Sequence, residues 1–213
     1  DQMSGVTAEG NIFADNAFCM LVGGGDWNTI KNNVFYKSNA SLTYDNRGQG
    51  WQKLADGSAK KNFYDEKIGV GNYLWDERFP YTKTYYEYLK ANDMDKVNAP
   101  DKARIEDNYI IGTADFSLAA SVTENAENIS DNYKTSEDIF GFEAPENYNF
   151  KYDKSKKLSG TKDFEYIDFD EIGLREKKNL GKAQPVGPKN GAENIEGNCA
   201  VLSWKDCNGA DKF

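Results

Sequence analysis

The feature that most constrains this chain is a short pattern that returns along it at a nearly constant interval. "EGNIFADNAFCMLV" carries Asn-Ile-Phe at Asn11 to Phe13, and "NNVFYKSNASLTYD" carries Asn-Val-Phe at Asn33 to Phe35, 22 residues later. Further on, "RIEDNYIIG" and "NISDNYKT" share Ile-x-x-Asn at Ile105 to Asn108 and Ile129 to Asn132, 24 residues apart, and Ile30 to Asn33 fits the same template. Self-similarity at such a period decides the architecture before composition does. Short alternating strands punctuated by Asn, Asp and Gly are what a parallel β-solenoid requires. The isoleucine of each turn points into a narrow core. The asparagine sits at a bend, where it tolerates left-handed backbone angles and bonds to its counterpart about 4.8 Å along the axis. Such Asn-rich segments also occur as plain loops; the recurrence with flanking aliphatics favours the repeat.

In this register Ala17 to Val22 and Ala40 to Asp45 are neighbouring strands, with Asp45 over Val22. Residues 52–103 break the repeat as a long insertion, with a short helix predicted over Tyr81 to Ala91 after Pro80. Long insertions in solenoids gather on one side and often wall a groove. After the last repeat, "GFEAPENYNFKYDKSKKLSG" to "FEYIDFDEIGL" reads as irregular chain with apolar anchors lying back along the solenoid. The boundaries are then a repeat body over 1–175, a Lys-, Gly- and Pro-rich linker over 176–190, and a tail over 191–213. The tail alternates like the opening strands of a fibronectin III or immunoglobulin-like sandwich. Both ends look like cuts through a longer protein.

Composition removes several function classes. Lys+Arg 26 against Asp+Glu 35 gives a net charge of -9, which repels phosphate backbones and argues against nucleic acid as a partner. The chain has no histidine, so imidazole bases, His triads and His-based zinc sites are excluded within it. No apolar run approaches the roughly 20 residues needed to span a bilayer. Three cysteines make no disulfide framework: Cys19 lies in an apolar run, and Cys199 and Cys207 flank the expected strand "AVLSWK", which would hold them apart.

The ordered series "GGGDWNTIKNNVF", "LTYDNRGQGW", "LWDERFP", "ARIEDNYIIG" and "NYNFKYDKSKKLSG…FEYIDFDEIGL" resembles the C-terminal portion of the secreted right-handed parallel β-helix proteins of polysaccharide-degrading bacteria. These pectin-lyase-like proteins include family 141 glycoside hydrolases and unassigned relatives. The resemblance covers roughly residues 5–175. It implies an all-β, right-handed parallel β-helix with a partly helical insertion, in a monomeric protein exported to the periplasm or cell surface. It also implies a polysaccharide partner and glycosidase activity in the full-length protein. Relatives commonly carry Gly-Gly-Arg before the Asn corner; here "GGGDW" puts Asp26 where that cation is expected.

Hydrolysis of a glycosidic bond needs two carboxyl groups about 5 to 9.5 Å apart across one sugar ring, and turn positions of adjacent repeats supply such pairs. Asp45 and Asp26 are the candidate catalytic pair, although Asp at turns also serves simply to cap backbone. Arg47 is positioned to hold a uronate or to pair with Asp45. Trp51, Trp27 and Trp75, with Tyr44, offer flat faces for sugar rings, or else pack as structural aromatics. Asp76 and Arg78 of "WDERFP" are further substrate-binding candidates on the insertion. No cofactor is expected. Calcium would need clustered carboxylates, and "DNR" and "DER" are each diluted by arginine. A lyase acting on uronates, with Arg47 in the site, and a non-catalytic carbohydrate-binding protein are the alternative readings. A further one makes this chain the structural end of a helix whose site lies elsewhere.

Overall fold

A computed structural model describes residues 3–68, 73–172, 184–187 and 203–205. It is mostly β, with three parallel sheets and few helices. Asp1–Phe169 forms one compact unit and Asp170–Phe213 a second.

In the first unit the 22-residue interval becomes strand pairing. The first sheet takes β1 (Thr7–Glu9), β4 (Thr29–Lys31), β7 (Arg104–Glu106) and β10 (Asn128–Ser130), in that order. The second takes β2 (Ile12–Ala14), β5 (Val34–Tyr36), β8 (Tyr109–Ile111) and β11 (Tyr133–Thr135). The third takes β3 (Met20–Gly23), β6 (Leu42–Asp45) and β9 (Ser117–Leu118). Each repeat therefore gives one strand to each sheet in turn, and β9 completes the third repeat. Pairing is parallel throughout, and Ile30 lies beside Ile105, which lies beside Ile129. Val22 pairs with Tyr44, so Asp45 lies over Gly23 rather than over Val22: the true interval is 22 residues, one fewer than the expected strand limits implied.

Strands this short cannot be stabilised by their own ladders alone, and the alternation of side chains shows what holds them. Phe35 and Ile110 turn inward with Ile30, Ile105, Leu42 and Tyr44 to form one core. Their neighbours Val34, Tyr36, Tyr109 and Ile111 turn outward, where Phe140, Phe142, Phe150, Tyr152 and Ile167 cover them. The second sheet is thus buried on both faces, and the irregular chain from Ile139 to Phe169 is its second cover. Tyr109 meets Phe140 and Phe164 edge-to-face, at ring-centroid separations of 4.9 and 4.8 Å.

The turns between sheets are fixed by two devices. The first is a left-handed residue at equivalent places: Gly10, Asn32, Asp107 and Asp131 at one corner, Gly5, Trp27 and Lys102 at another, Asp15, Lys37 and Gly112 at the third. At the first corner the left-handed residue precedes the repeated asparagine, which corrects the expectation that Asn33, Asn108 and Asn132 adopt that geometry. Those asparagines supply the second device. Each side-chain oxygen accepts two bonds from the repeat before it: Asn33 Oδ1 from the backbone N–H (3.1 Å) and Nδ2 (2.9 Å) of Asn11, Asn108 Oδ1 likewise from Asn33, and Asn132 Oδ1 from Asn108. Each Nδ2 of Asn33, Asn108 and Asn132 also donates to a backbone carbonyl one repeat back, of Ala8, Ile30 and Ile105.

The insertion leaves the body after β6 and returns before β7. It carries α1 (Ser58–Phe63), a π-helical turn (Tyr64–Ile68), α2 (Tyr73–Arg78), α3 (Tyr81–Ala91) and α4 (Met94–Asn98). Helix α3 covers the span the sequence predicts, begins after Pro80 and ends at Asn92 in the left-handed conformation. Asn98 clasps both polar groups of the Leu54 backbone, at 2.7 and 2.9 Å, tying the start of the insertion to its end. A sixth helical segment, α5 (Ala120–Asn125), lies at the equivalent turn one repeat later.

In the second unit, β12 (Gln184–Gly187) pairs antiparallel with β13 (Ser203–Lys205). The expected linker, 176–190, thus contains a strand. Its remainder, most of the 191–213 tail, Cys199 and Cys207 lie outside the described residues. Among the described residues no helix is long and apolar enough to cross a membrane.

Asn108 is fully buried, and replacing it with Ala orphans its bonded partners on both sides. At roughly 1–3 kcal/mol for each unpaired buried group, Asn108→Ala is expected to lower stability by about 2–4 kcal/mol, and Asn11→Ala, exposed at the end of the line, by under about 1 kcal/mol. Urea unfolding midpoints of the two variants check the difference.

Candidate functional site

The turn from the third sheet back to the first carries "GGDWN", residues 24–28, between β3 and β4. One repeat later the insertion occupies this same turn, and its helices wall a cavity with Asp26 and Trp27. Their equivalents on either side are Ser4–Gly5 and Asp101–Lys102. The Asp26 backbone N–H donates to Ser4 Oγ (3.0 Å), and Asp26 Oδ1 accepts the Asp101 N–H (3.0 Å). A hydrogen-bond line thus runs along this corner as the asparagine line runs along another.

The difference is the residue that carries it. Asp26 is 3% exposed, and its second oxygen has no hydrogen-bond partner among the described residues. Burial, with a smaller contribution from the nearby Asp101 charge, pushes its carboxyl up to about 7. Asp26 lines a cavity of about 420 Å³ between the corner and the insertion. Trp27, Trp75, Phe79 and Tyr81 are among its walls, Trp27 lying face to face with Tyr81 at 5.4 Å and Trp75 against Phe79 at 4.8 Å. Trp75 Nε1 donates to Thr82 Oγ1 (2.9 Å), which fixes that ring. Trp27 itself is held at φ 54°, a left-handed geometry uncommon for a bulky side chain, and its N–H donates to the Asp101 carbonyl (2.8 Å).

The other polar groups come from the insertion. Lys60 Nζ donates to Tyr85 Oη (2.9 Å). Burial lowers the Lys60 ammonium from its ordinary value, and the Asp26 charge opposes that. Tyr64 is pushed up to about 12 by burial, and Tyr85 is raised for the same reason. All three side chains line the cavity. A carboxyl that titrates at about 7, a desolvated ammonium and phenols kept protonated form a set that can donate and accept protons inside an aromatic enclosure.

The structure separates the two expected catalytic carboxylates by environment. Asp26 and Trp27 are in the cavity; Asp45 and Arg47 do not line it. Asp45 is gripped by Arg47 at 2.6 Å from Nη2 and 2.9 and 3.1 Å from Nε, which holds its carboxyl below the usual range. Arg47 lies across Gly23, where a Cβ would come within 2.6 Å of its guanidinium carbon, so a larger residue there would have to displace the arginine side chain. Trp51 is 77% exposed, with the guanidinium 5.6 Å from its ring.

Tyr44 requires correction as a sugar-stacking face. It is fully buried in the core, with its Oη donating to the Gly25 carbonyl (2.6 Å) and accepting from Asn28 Nδ2 (3.0 Å), so it shapes the corner from beneath. Asp76 pairs with Lys83 (2.9 Å), and exposed Arg78 lies 5.8 Å from the Phe79 ring; neither lines the cavity, although Trp75 and Phe79 of the same segment do. Lys60, Tyr64, Tyr85 and Asp101 went unrecognised in the sequence. The 22- and 75-residue intervals that relate Ser4, Asp26 and Asp101 would have exposed Asp101, whereas Lys60 sits in a helix with no repeat to mark it. Among the described residues no group of three or more Cys, Asp or Glu side chains could hold a metal ion.

Comparison with protein-family models, curated proteins and solved structures finds no match to this chain.

The folded chain retains a proton on Asp26 that the unfolded chain, with an ordinary carboxyl near 3.8, has released. Between about pH 4 and pH 7 the folded state binds more protons, so this group makes stability fall as pH rises through that window, by at most about 4 kcal/mol. Asp26→Asn keeps an acceptor for the Asp101 N–H and has no proton to lose. The variant is expected to be the more stable form at pH 8 and to lack this component of the pH dependence, as read from thermal unfolding between pH 4 and pH 8.

Proposed function

We propose that this chain belongs to a secreted polysaccharide-processing protein whose three parallel sheets are the faces, and whose repeats are the turns, of a right-handed parallel β-helix, with the cavity over Asp26 as the sugar-binding site. The observation that carries this reading is the pairing of a nearly fully buried carboxyl, with one oxygen unpartnered, and aromatic walls at the turn where the insertion arises. Sugar rings present apolar faces that pack on aromatic side chains, and hydroxyls that a few convergent polar groups can orient. A carboxyl still partly protonated near neutral pH is suited to deliver a proton to a departing glycosidic oxygen. Asp101, the equivalent residue on the next repeat, bonds to Asp26 through its backbone N–H, but its own carboxylate accepts from Tyr88 Oη (3.3 Å) and does not line the cavity, so it supplies no second acid there. Asp45 is no better suited, because its oxygens are occupied by Arg47.

A specific observation also favours a second reading, glycan binding without cleavage. Among the described residues Asp26 is the one carboxylate lining the cavity, and its Oδ1 already serves the corner as an acceptor.

The two readings part on substitution. Against defined polysaccharides, Asp26→Asn is expected to reduce the appearance of new reducing ends by roughly 10²–10⁴-fold while binding persists, the usual scale for loss of a general acid. Trp27→Ala is expected to weaken binding itself. Binding that depends on Trp27 with no cleavage by the parent protein selects the second reading. Indifference of binding and turnover to both substitutions removes the cavity from either.

A further inference from the structure

A second cavity, of about 280 Å³, opens on the cover over the second sheet. Its lining includes Lys154, Lys156, Lys157 and Lys162 above Tyr109, Tyr152, Phe164 and Tyr166. Four ammonium groups around one depression are conspicuous in a chain of net charge -9. Elsewhere six lysines, Lys31, Lys61, Lys83, Lys90, Lys96 and Lys134, each lie within 3.4 Å of a carboxylate oxygen. By contrast, no carboxylate of a described residue forms an ion pair with any of the four lysines at this cavity.

Two nearby acids are already engaged in local turns. Asp153 accepts from the N–H (2.8 Å) and Oγ (2.7 Å) of Ser155, and Asp107 accepts from the N–H groups of Lys162 (3.2 Å) and Asp163 (3.0 Å). Two of the lysines are placed rather than free: Lys156 Nζ donates to the Phe140 carbonyl (2.9 Å), and Lys154 Nζ stands 5.2 Å from the centre of the Tyr166 ring. The floor is rigid, since Tyr109 Oη donates to the Ser159 carbonyl (3.0 Å) and accepts from Thr161 Oγ1 (3.1 Å).

We propose that this cavity binds an acidic sugar residue, one carrying a carboxylate or a sulfate. Lys154, Lys157 and Lys162 would meet the anionic group, and the half-buried rings of Phe164 and Tyr166 would take the face of the sugar, with Tyr109 and Tyr152 buried beneath them. Like-charged ammonium groups around a cavity repel one another, and an anion among them relieves that cost, so binding weakens with added salt. The aromatic lining selects a sugar over a bare anion. This site is separate from the cavity over Asp26, and its test does not depend on that one being a glycan site.

Calorimetric titration of the chain with trigalacturonate, a sulfated disaccharide, maltotriose, sodium sulfate and a single-stranded oligonucleotide tests the assignment. An acidic saccharide is expected to bind, with affinity falling between 50 and 300 mM salt. It should lose at least about tenfold in the triple variant Lys154→Ala/Lys157→Ala/Lys162→Ala, on the scale of three exposed charge contacts. Which acidic saccharide binds tells carboxylate from sulfate. Because these lysines are exposed, the triple variant is expected to keep the parent's circular dichroism and unfolding midpoint, and Asp26→Asn to keep the parent's affinity here. Absence of binding by both acidic saccharides, unchanged affinity in the triple variant, or equal binding of maltotriose, sulfate or the oligonucleotide each overturns the proposal.

Discussion

The fold depends on one exchange at its corners: a side-chain oxygen from one repeat receives the backbone N–H of its neighbour where no strand ladder can. A chain that turns after every three or four residues leaves many peptide groups outside its sheets, and each, if buried without a partner, costs about 1–3 kcal/mol. Asn33, Asn108 and Asn132 answer this at one corner, Ser38 and Thr113 at another, and Asp26 at the third. The left-handed residue beside each of these makes the turn sharp enough for the side chain to reach along the axis. With the corners satisfied, strands of three residues suffice.

That economy has a consequence for where chemistry can be placed. The insertion replaces a single turn, and its helices close over the equivalent turn one repeat back, because the repeats before and after it still pair directly. The body supplies a floor fixed by Tyr44 and Asn28, while the insertion supplies removable walls. A cavity of this kind can change its lining through the helices without disturbing the register beneath.

Much of this was legible in the chain, for a physical reason. Ile30, Ile105 and Ile129 and the four asparagines recur because each repeat meets the same environment, so the interval survives the interruption between Asn33 and Asn108. Helix α3 was legible through Pro80. What escaped belongs to places without recurrence. Tyr44 looked like an available aromatic, but its partners, the Gly25 carbonyl and Asn28, are set by the corner rather than by local sequence. Asp45 and Asp26 look alike as letters; one meets a guanidinium two residues on, and the other meets a wall of helices that begins more than thirty residues later. The left-handed conformation was assigned to the asparagines, and the structure gives it to the residue before each, because an asparagine in the ladder must aim its amide along the axis.

The choice of residue at position 26 is itself informative. Where this chain needs a buried acceptor at a corner it uses asparagine, serine or threonine, which carry no charge and lose nothing by burial once bonded. An asparagine at 26 could accept the Asp101 N–H equally well. Aspartate does so only by holding a proton near neutral pH or by burying a charge, and either state is costlier than the amide. A carboxyl where an amide would serve the fold, with its second oxygen unpartnered beside a cavity, adds a titratable proton that the fold does not require, and it is on this proton that the proposed role of the cavity rests.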